Sequence, residues 1–146
     1  MAGCAALVLA GGSGIRFGAE LPKQYLPLGG AAVLRRAADA FATHPGVDLV
    51  RVVIRPKDRP LYDAAFAGLD ILGPVEGGAS RQESARLGLE SLADMTPDKV
   101  LIHDGARPFI DSGLITRTIT ALGTTPAAVP ALALAEGPRV TLNTSQ

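Results

Sequence analysis

Leu9-Ala10-Gly11-Gly12-Ser13-Gly14-Ile15-Arg16-Phe17, with Pro22-Lys23-Gln24-Tyr25 close behind it, decides how this chain is read. The apolar run Ala5–Ala10 feeds directly into it. Apolar residues without alternation suit a strand covered on both faces. The glycines that follow let the backbone turn sharply and bring its N–H groups close to an anion. Arg16 and Lys23 then add the cationic charge that a triphosphate needs. The stretch therefore predicts a nucleotide-phosphate site at the C-terminal end of the first strand.

Two look-alike loops are excluded by spacing. A Walker A loop places Gly-Lys-Ser/Thr after four spacer residues, and no such lysine or hydroxyl stands there. The dinucleotide fingerprint needs a third glycine where Phe17 stands, and Gly18 is one place late. No acidic residue ends a clear second strand about 20 residues on, where a ribose contact belongs.

Composition narrows the class. The chain has 146 residues, enough for one domain and one core, and 47% of them are hydrophobic. Fourteen basic and fourteen acidic residues give a formal net charge of zero. General nucleic-acid binding needs a basic face, so none is expected. The single cysteine, Cys4, has no internal disulfide partner and reads as a small core residue of a cytoplasmic protein. No apolar stretch reaches the roughly 18–20 residues of a membrane span. No basic n-region opens the chain. Apolar Ala127–Ala135 gives way abruptly to a polar tail, which reads as a domain cut part-way.

Strands and helices are expected to alternate. Val33, Leu34, Ala37, Ala38 and Phe41 recur at helical spacing within Ala31–Thr43, and His44-Pro45-Gly46 stops that helix. Asp48–Ile54 reads as the second strand. Asp58 is placed to cap a helix over Arg59–Gly68, and Ile71-Leu72 reads as a short strand. Ser80 and Glu83 fit a capping box that opens a helix to about Ala93. Lys99–His103 reads as a strand, Asp111 as the cap of a helix to Leu122, and Ala127–Leu134 as a last strand. This order implies an α/β fold: a mostly parallel, Rossmann-like sheet with helices on both faces. Ligands of such sheets bind at the C-terminal ends of strands. Three loops leave strand ends here: Gly11–Pro22, Glu76–Ser80 and Asp104–Ile110.

The second loop, Glu76-Gly77-Gly78-Ala79-Ser80, leads into a helix N-terminus, which favours anions. Ser84 falls one turn in. Its hydroxyl either reaches a base or sugar near the loop or is a solvated helix residue. The third, Val100-Leu101-Ile102-His103-Asp104-Gly105-Ala106-Arg107-Pro108, ends a buried strand in a carboxylate. Magnesium takes one or two carboxylates plus substrate phosphates, which makes Asp104 the natural ligand. Arg107 is placed to buttress the loop or to pair with a carboxylate. His103 alternates to the opposite face and reads as structural. His44 reads as a helix-end residue.

Taken together, Leu9 through Arg16, Pro22-Lys23-Gln24-Tyr25, Gly77-Gly78 through Arg81 with Ser84, and His103-Asp104-Gly105-Ala106-Arg107-Pro108 resemble the 2-C-methyl-D-erythritol 4-phosphate cytidylyltransferases of the non-mevalonate isoprenoid pathway. The likeness runs to about Pro130. It extends to the N-terminal part of the bifunctional enzymes that fuse this activity to a cyclodiphosphate synthase. It implies a nucleotide-diphospho-sugar transferase-like fold, and transfer of a cytidylyl group from CTP to 2-C-methyl-D-erythritol 4-phosphate with release of pyrophosphate. Arg16 and Lys23 match the family's catalytic cations. Ala10, Gly11 and Gly12 would contact the nucleotide through their backbone. Gly78 and Ser84 would read the cytosine, Gly105 would meet the ribose region, and Asp104 would hold Mg2+. A homodimer is implied for the full-length protein.

One segment departs from the family pattern. Where relatives carry an Asp-Thr pair and a basic residue, this chain has Ala135-Glu136-Gly137-Pro138-Arg139. The threonine that helps hold the sugar phosphate has no counterpart at that point. Relatives are also longer. Residues 1–146 are thus read as the N-terminal, nucleotide-binding part of a cytidylyltransferase domain, incomplete at its C-terminus and poorly active alone. A related nucleotidyltransferase acting on another acceptor, such as an alditol phosphate, and an inactive nucleotide-binding fragment are the alternatives.

Overall fold

Residues 3–11 and 21–128 are described by the structure, a computed structural model. β1 (Cys4–Ala10) is buried at every position, as an apolar run without alternation requires. A small antiparallel hairpin follows, β2 (Pro27–Leu28) with β3 (Ala31–Ala32), turning through Gly29 and Gly30, both at positive φ. Then come α1 (Val33–Ala42), β4 (Leu49–Ile54), α2 (Arg59–Ala65), β5 (Val75–Glu76), α3 (Arg81–Ser91) and β6 (Lys99–Asp104). These elements belong to a compact unit that ends at Ile110.

Four strands form one sheet in the order β5-β4-β1-β6, and every pairing is parallel. Ala10 lies opposite Ile54, and Leu9 opposite Asp104. The chain steps outward from β1 to β4 to β5, then returns past β1 to lay down β6. Its direction of progression therefore reverses between β1 and β6. Such a reversal leaves a crevice at the carboxyl ends of the two strands.

Each face of the sheet is covered. α1 turns Leu34, Ala37, Ala38 and Phe41 inward, and the Phe41 ring lies 5.3 Å from that of His103. On the other face Ala5, Leu7, Leu9 and Val53 pack with Leu92 and Ala85. α3 reaches that face because Gly88 has no side chain. A Cβ there would come within 2.9 Å of Val53 Cγ2 and 3.0 Å of Leu7 Cδ1.

Two expectations fail locally. The strand expected at Ile71-Leu72 is not formed. Leu72 makes a hydrogen bond from its N–H to the Val50 carbonyl (3.1 Å), and Pro74, with no N–H, interrupts any ladder. Pairing resumes at β5, with Val53 opposite Val75 and Ile54 opposite Glu76. Asp58 precedes α2, but its side chain caps nothing. Its carboxylate receives two bonds from Arg55 instead, at 2.8 Å from Nε and 3.1 Å from Nη2. α2 then stops at Ala65, short of Gly68.

The capping box on α3 does form, with a shifted return contact. Ser80 Oγ accepts from the Glu83 N–H (3.0 Å), while Glu83 Oε1 accepts from the Ala79 N–H (2.7 Å). α3 ends at Ser91, and Ala93–Met95 forms a separate 3-10 turn. A second compact unit begins at Asp111. It holds α4 (Ser112–Leu122), whose cap is Asp111 as expected, Oδ1 accepting from the Gly113 N–H at 2.9 Å. The strand expected at Ala127–Leu134 lies, from Val129 onward, outside the described residues. Among the described residues no helix is long and apolar enough to cross a membrane.

Candidate functional site

A cleft of about 430 Å³ opens where the sheet reverses, at the carboxyl ends of β1 and β6. The described parts of all three predicted loops meet in it. Ala10 and Gly11 come from the end of β1, and Ser80, Arg81 and Ser84 from the start of α3. Asp104 and Arg107 come from the end of β6, and Lys23 and Gln24 from the turn after the first loop. Gly12 and Arg16 lie outside the described residues.

The Lys23 turn is tied to the first strand. Lys23–Tyr25 forms a single 3-10 turn, closed by the Tyr25 N–H on the Pro22 carbonyl at 2.9 Å. Gln24, 5% exposed, sends its Nε2 to the carbonyl of Ala10 at 3.3 Å. That bond spends the last carbonyl of β1 and leaves neighbouring Lys23 on the exposed side of the turn. Among the described residues Lys23 makes no ion pair.

Ser84 is 2% exposed, so the solvated-helix reading does not hold. Its Oγ accepts from the Gly78 N–H at 3.1 Å and wedges among three glycines. A Cβ would come within 3.0 Å of that oxygen at Gly11 and 2.5 Å at Gly77. At Gly78 a Cβ would collide with the Glu83 carboxylate. The glycine turn is thus moulded on two side chains of the capping box helix. A hydroxyl also has one proton to donate, and among the described residues no acceptor takes Ser84's.

Gly105 has a packing reason to be glycine. It is buried, its N–H is given to the Leu9 carbonyl at 2.8 Å, and a Cβ would lie 2.5 Å from Leu34 Cδ1. His103 behaves as expected, its Nε2 lying 2.8 Å from the Arg107 carbonyl. His44 Nδ1 accepts from the Gly46 N–H at 2.9 Å, closing the end of α1.

Asp104 stands between two guanidinium groups. Arg81 Nε is 3.1 Å from Oδ1, and Arg107 Nε is 3.6 Å from Oδ2. The Arg107 contact was legible three residues away in sequence. The Arg81 contact was not, since it spans 23 residues and crosses the cleft. One signal pointed to it: a cation in the first turn of a helix opposes the macrodipole, so it is there for something other than the helix. Gln24 also went without a role, because nothing local says that a polar residue beside a lysine will be buried.

The charge of the cleft follows. Its described lining carries three cations, Lys23, Arg81 and Arg107, against one carboxylate, Asp104. In a chain of zero net charge this is a local concentration that suits a polyanion. Among the described residues no three His, Cys, Asp or Glu side chains gather into a metal cage. A lone carboxylate fits a magnesium ion that brings most of its ligands as phosphates and water.

Comparison with known proteins now meets this geometry. The model of the family described as IspD, 2-C-methyl-D-erythritol 4-phosphate cytidylyltransferase, matches residues 4–142. The chain belongs to the IspD family. A relative from Paramagnetospirillum magneticum, the bifunctional enzyme IspD/IspF, is 59% identical over 136 residues, 93% of this chain and 35% of that protein. The chain thus spans about a third of the length of such relatives. A solved 4-diphosphocytidyl-2C-methyl-D-erythritol synthase superposes with a TM-score of 0.70 at 28% identity, covering 97% of this chain and 67% of that one. The corresponding synthase from Anaerococcus prevotii gives 0.67 at 29% identity, covering 85% and 52%. The IspD fold is therefore the fold of this chain.

Proposed function

We propose that this IspD-family chain carries the nucleotide-binding part of a domain that transfers a cytidylyl group from CTP to 2-C-methyl-D-erythritol 4-phosphate. The observation that carries the reading is the convergence of the described parts of three strand-end segments on a cation-lined cleft at the reversal point of the sheet. A phosphate oxygen of the acceptor attacks the α-phosphorus of CTP, the bond to the bridging oxygen breaks, and pyrophosphate departs with the electron pair. The step needs alignment and charge neutralisation rather than a protein nucleophile.

Lys23 holds the triphosphate and meets charge that builds on the leaving pyrophosphate, with Arg16 as the second such cation in this reading. Gln24 fixes the turn that presents Lys23. Ala10, Gly11 and Gly12 approach the nucleotide through backbone. Ser84 offers its proton to the cytosine. Gly78, whose N–H is given to Ser84, is the second residue assigned to the cytosine in this reading. Gly105, buried between the lining residues Asp104 and Ala106, is assigned to the ribose region in this reading. Asp104 would hold Mg2+, which supplies charge neutralisation across the phosphates when bound.

Isothermal titration of the chain with CTP and with GTP, each with magnesium chloride, tests the reading. Saturable binding of CTP in preference to GTP supports it. Equal affinities, or no heat with either nucleotide, overturns it.

A further inference from the structure

Arg81 has a cost and a position that the reaction as described does not use. It occupies the first position of α3, where a cation opposes the helix dipole. Its side chain is 62% exposed, so it buries little apolar surface. Its partner is Asp104, on β6 at the opposite wall of the cleft. An exposed ion pair of this kind contributes little to stability. The pair therefore fails to explain the arginine as a structural brace. It does place a guanidinium beside the carboxylate proposed to hold magnesium, within a cleft already lined by Lys23 and Arg107.

We infer that Arg81 is an exchangeable phosphate-binding arm: it rests on Asp104 in the free cleft and transfers to the nucleotide's phosphates when CTP enters, freeing that carboxylate for the metal. Asp104 cannot offer the same oxygens to a guanidinium and to a hard cation at once. An incoming triphosphate offers Arg81 a planar, bidentate partner of higher charge. Arg107, 3.6 Å from the other carboxylate oxygen, retains a hold on Asp104 during the exchange. The inference rests on the reading of this cleft as a CTP site and adds a residue and an order of events to it.

Two binding measurements on the chain, neither of them activity, test it. CTP binding is measured by calorimetry in EDTA, and Mn2+ binding without nucleotide by the loss of the free-ion paramagnetic signal. Arg81→Ala is expected to weaken metal-free CTP binding about tenfold, the scale of one charged hydrogen bond. The same change is expected to tighten Mn2+ binding several-fold, because Asp104 is released. Arg81→Lys keeps the charge without the fork and should fall between. Arg86→Ala removes an equal charge from the same helix, outside the cleft lining, and should move neither quantity. Unchanged Mn2+ affinity in Arg81→Ala, unchanged CTP affinity, or the same shifts in Arg86→Ala would overturn the exchange. Failure of the unaltered chain to bind CTP even with magnesium would instead sink the functional reading, and this inference with it.

Discussion

The buried hydroxyl of Ser84 accepts a hydrogen bond from the backbone N–H of Gly78 at 3.1 Å, fastening the second glycine turn to the helix that follows it. The turn, the helix start and the end of β1 are thereby one mechanical unit, since the same oxygen sits against Gly11 and Gly77. A residue that looks like an ordinary helical serine in sequence is the pin of the cleft wall.

Ser84→Ala should therefore do two things. It leaves the half-buried Gly78 N–H without its partner, at about 1 kcal/mol of stability. It also removes a donor from the proposed base site, so the preference for CTP over UTP should shrink. Denaturant melts and competition binding measure both. An unchanged CTP-to-UTP ratio would confine Ser84 to the structural role.

Gly88→Ala tests the close approach of α3 to the sheet. Alanine gains up to about 1 kcal/mol in helix propensity. The new Cβ meets Val53 and Leu7, both fully buried, and overpacking of this kind costs about 1–3 kcal/mol. The net expectation is a lower melting temperature with intact nucleotide binding. A higher melting temperature would show that the helix moves away from the sheet at no cost.

Tyr25→Phe should run against the usual direction of core substitutions. The Tyr25 hydroxyl is buried, and no described group satisfies it. Burial and the nearby Asp58 carboxylate both push its ionisation upward, so it stays neutral at any ordinary pH. Phenylalanine keeps the ring and removes an unpaired hydroxyl, worth about 1 kcal/mol toward the folded state. A thermal melt decides it: a clear loss of stability would mean that the hydroxyl has a partner after all.

Gln24→Met keeps length and removes the amide that reaches the Ala10 carbonyl. Lys23 would keep its charge but lose its fixed direction. The protein should fold, bind CTP within a few-fold of normal, and lose turnover in the full-length enzyme by about tenfold or more, as expected when a transition-state group is misplaced. A change in CTP affinity with kcat untouched would assign Gln24 to ground-state binding instead.

β1 and β6 were legible as apolar runs, the first followed by Gly11 and the second ended by Asp104. Ala5–Ala10 and Lys99–His103 needed little else. What escaped was settled by contacts that residue type alone does not reveal. Nothing near Ile71-Leu72 announces that Pro74 will break the ladder and that pairing will resume at Val75. Asp58 has the sequence of a cap, yet Arg55, three residues earlier, takes its carboxylate. The site was read by residue type at strand ends, which is why Lys23, Ser84 and Asp104 fall together. Arg81 and Gln24 fell inside the matching segments but drew no role, because their partners, Asp104 and Ala10, lie 23 and 14 residues away.

Backbone amide mapping by heteronuclear NMR tests the central claim, that CTP binds where the sheet reverses, most directly. Adding CTP and magnesium to the labelled chain should shift the signals of Ala10, Gly11, Gly78, Ser84 and Asp104, while GTP at the same concentration shifts them little. A second, smaller hollow on the same unit is lined by Asp48, Leu49, Asp70 and Leu72 and should stay silent. Shifts gathered around Asp48 and Asp70, with the strand-end loops unmoved, would contradict the account.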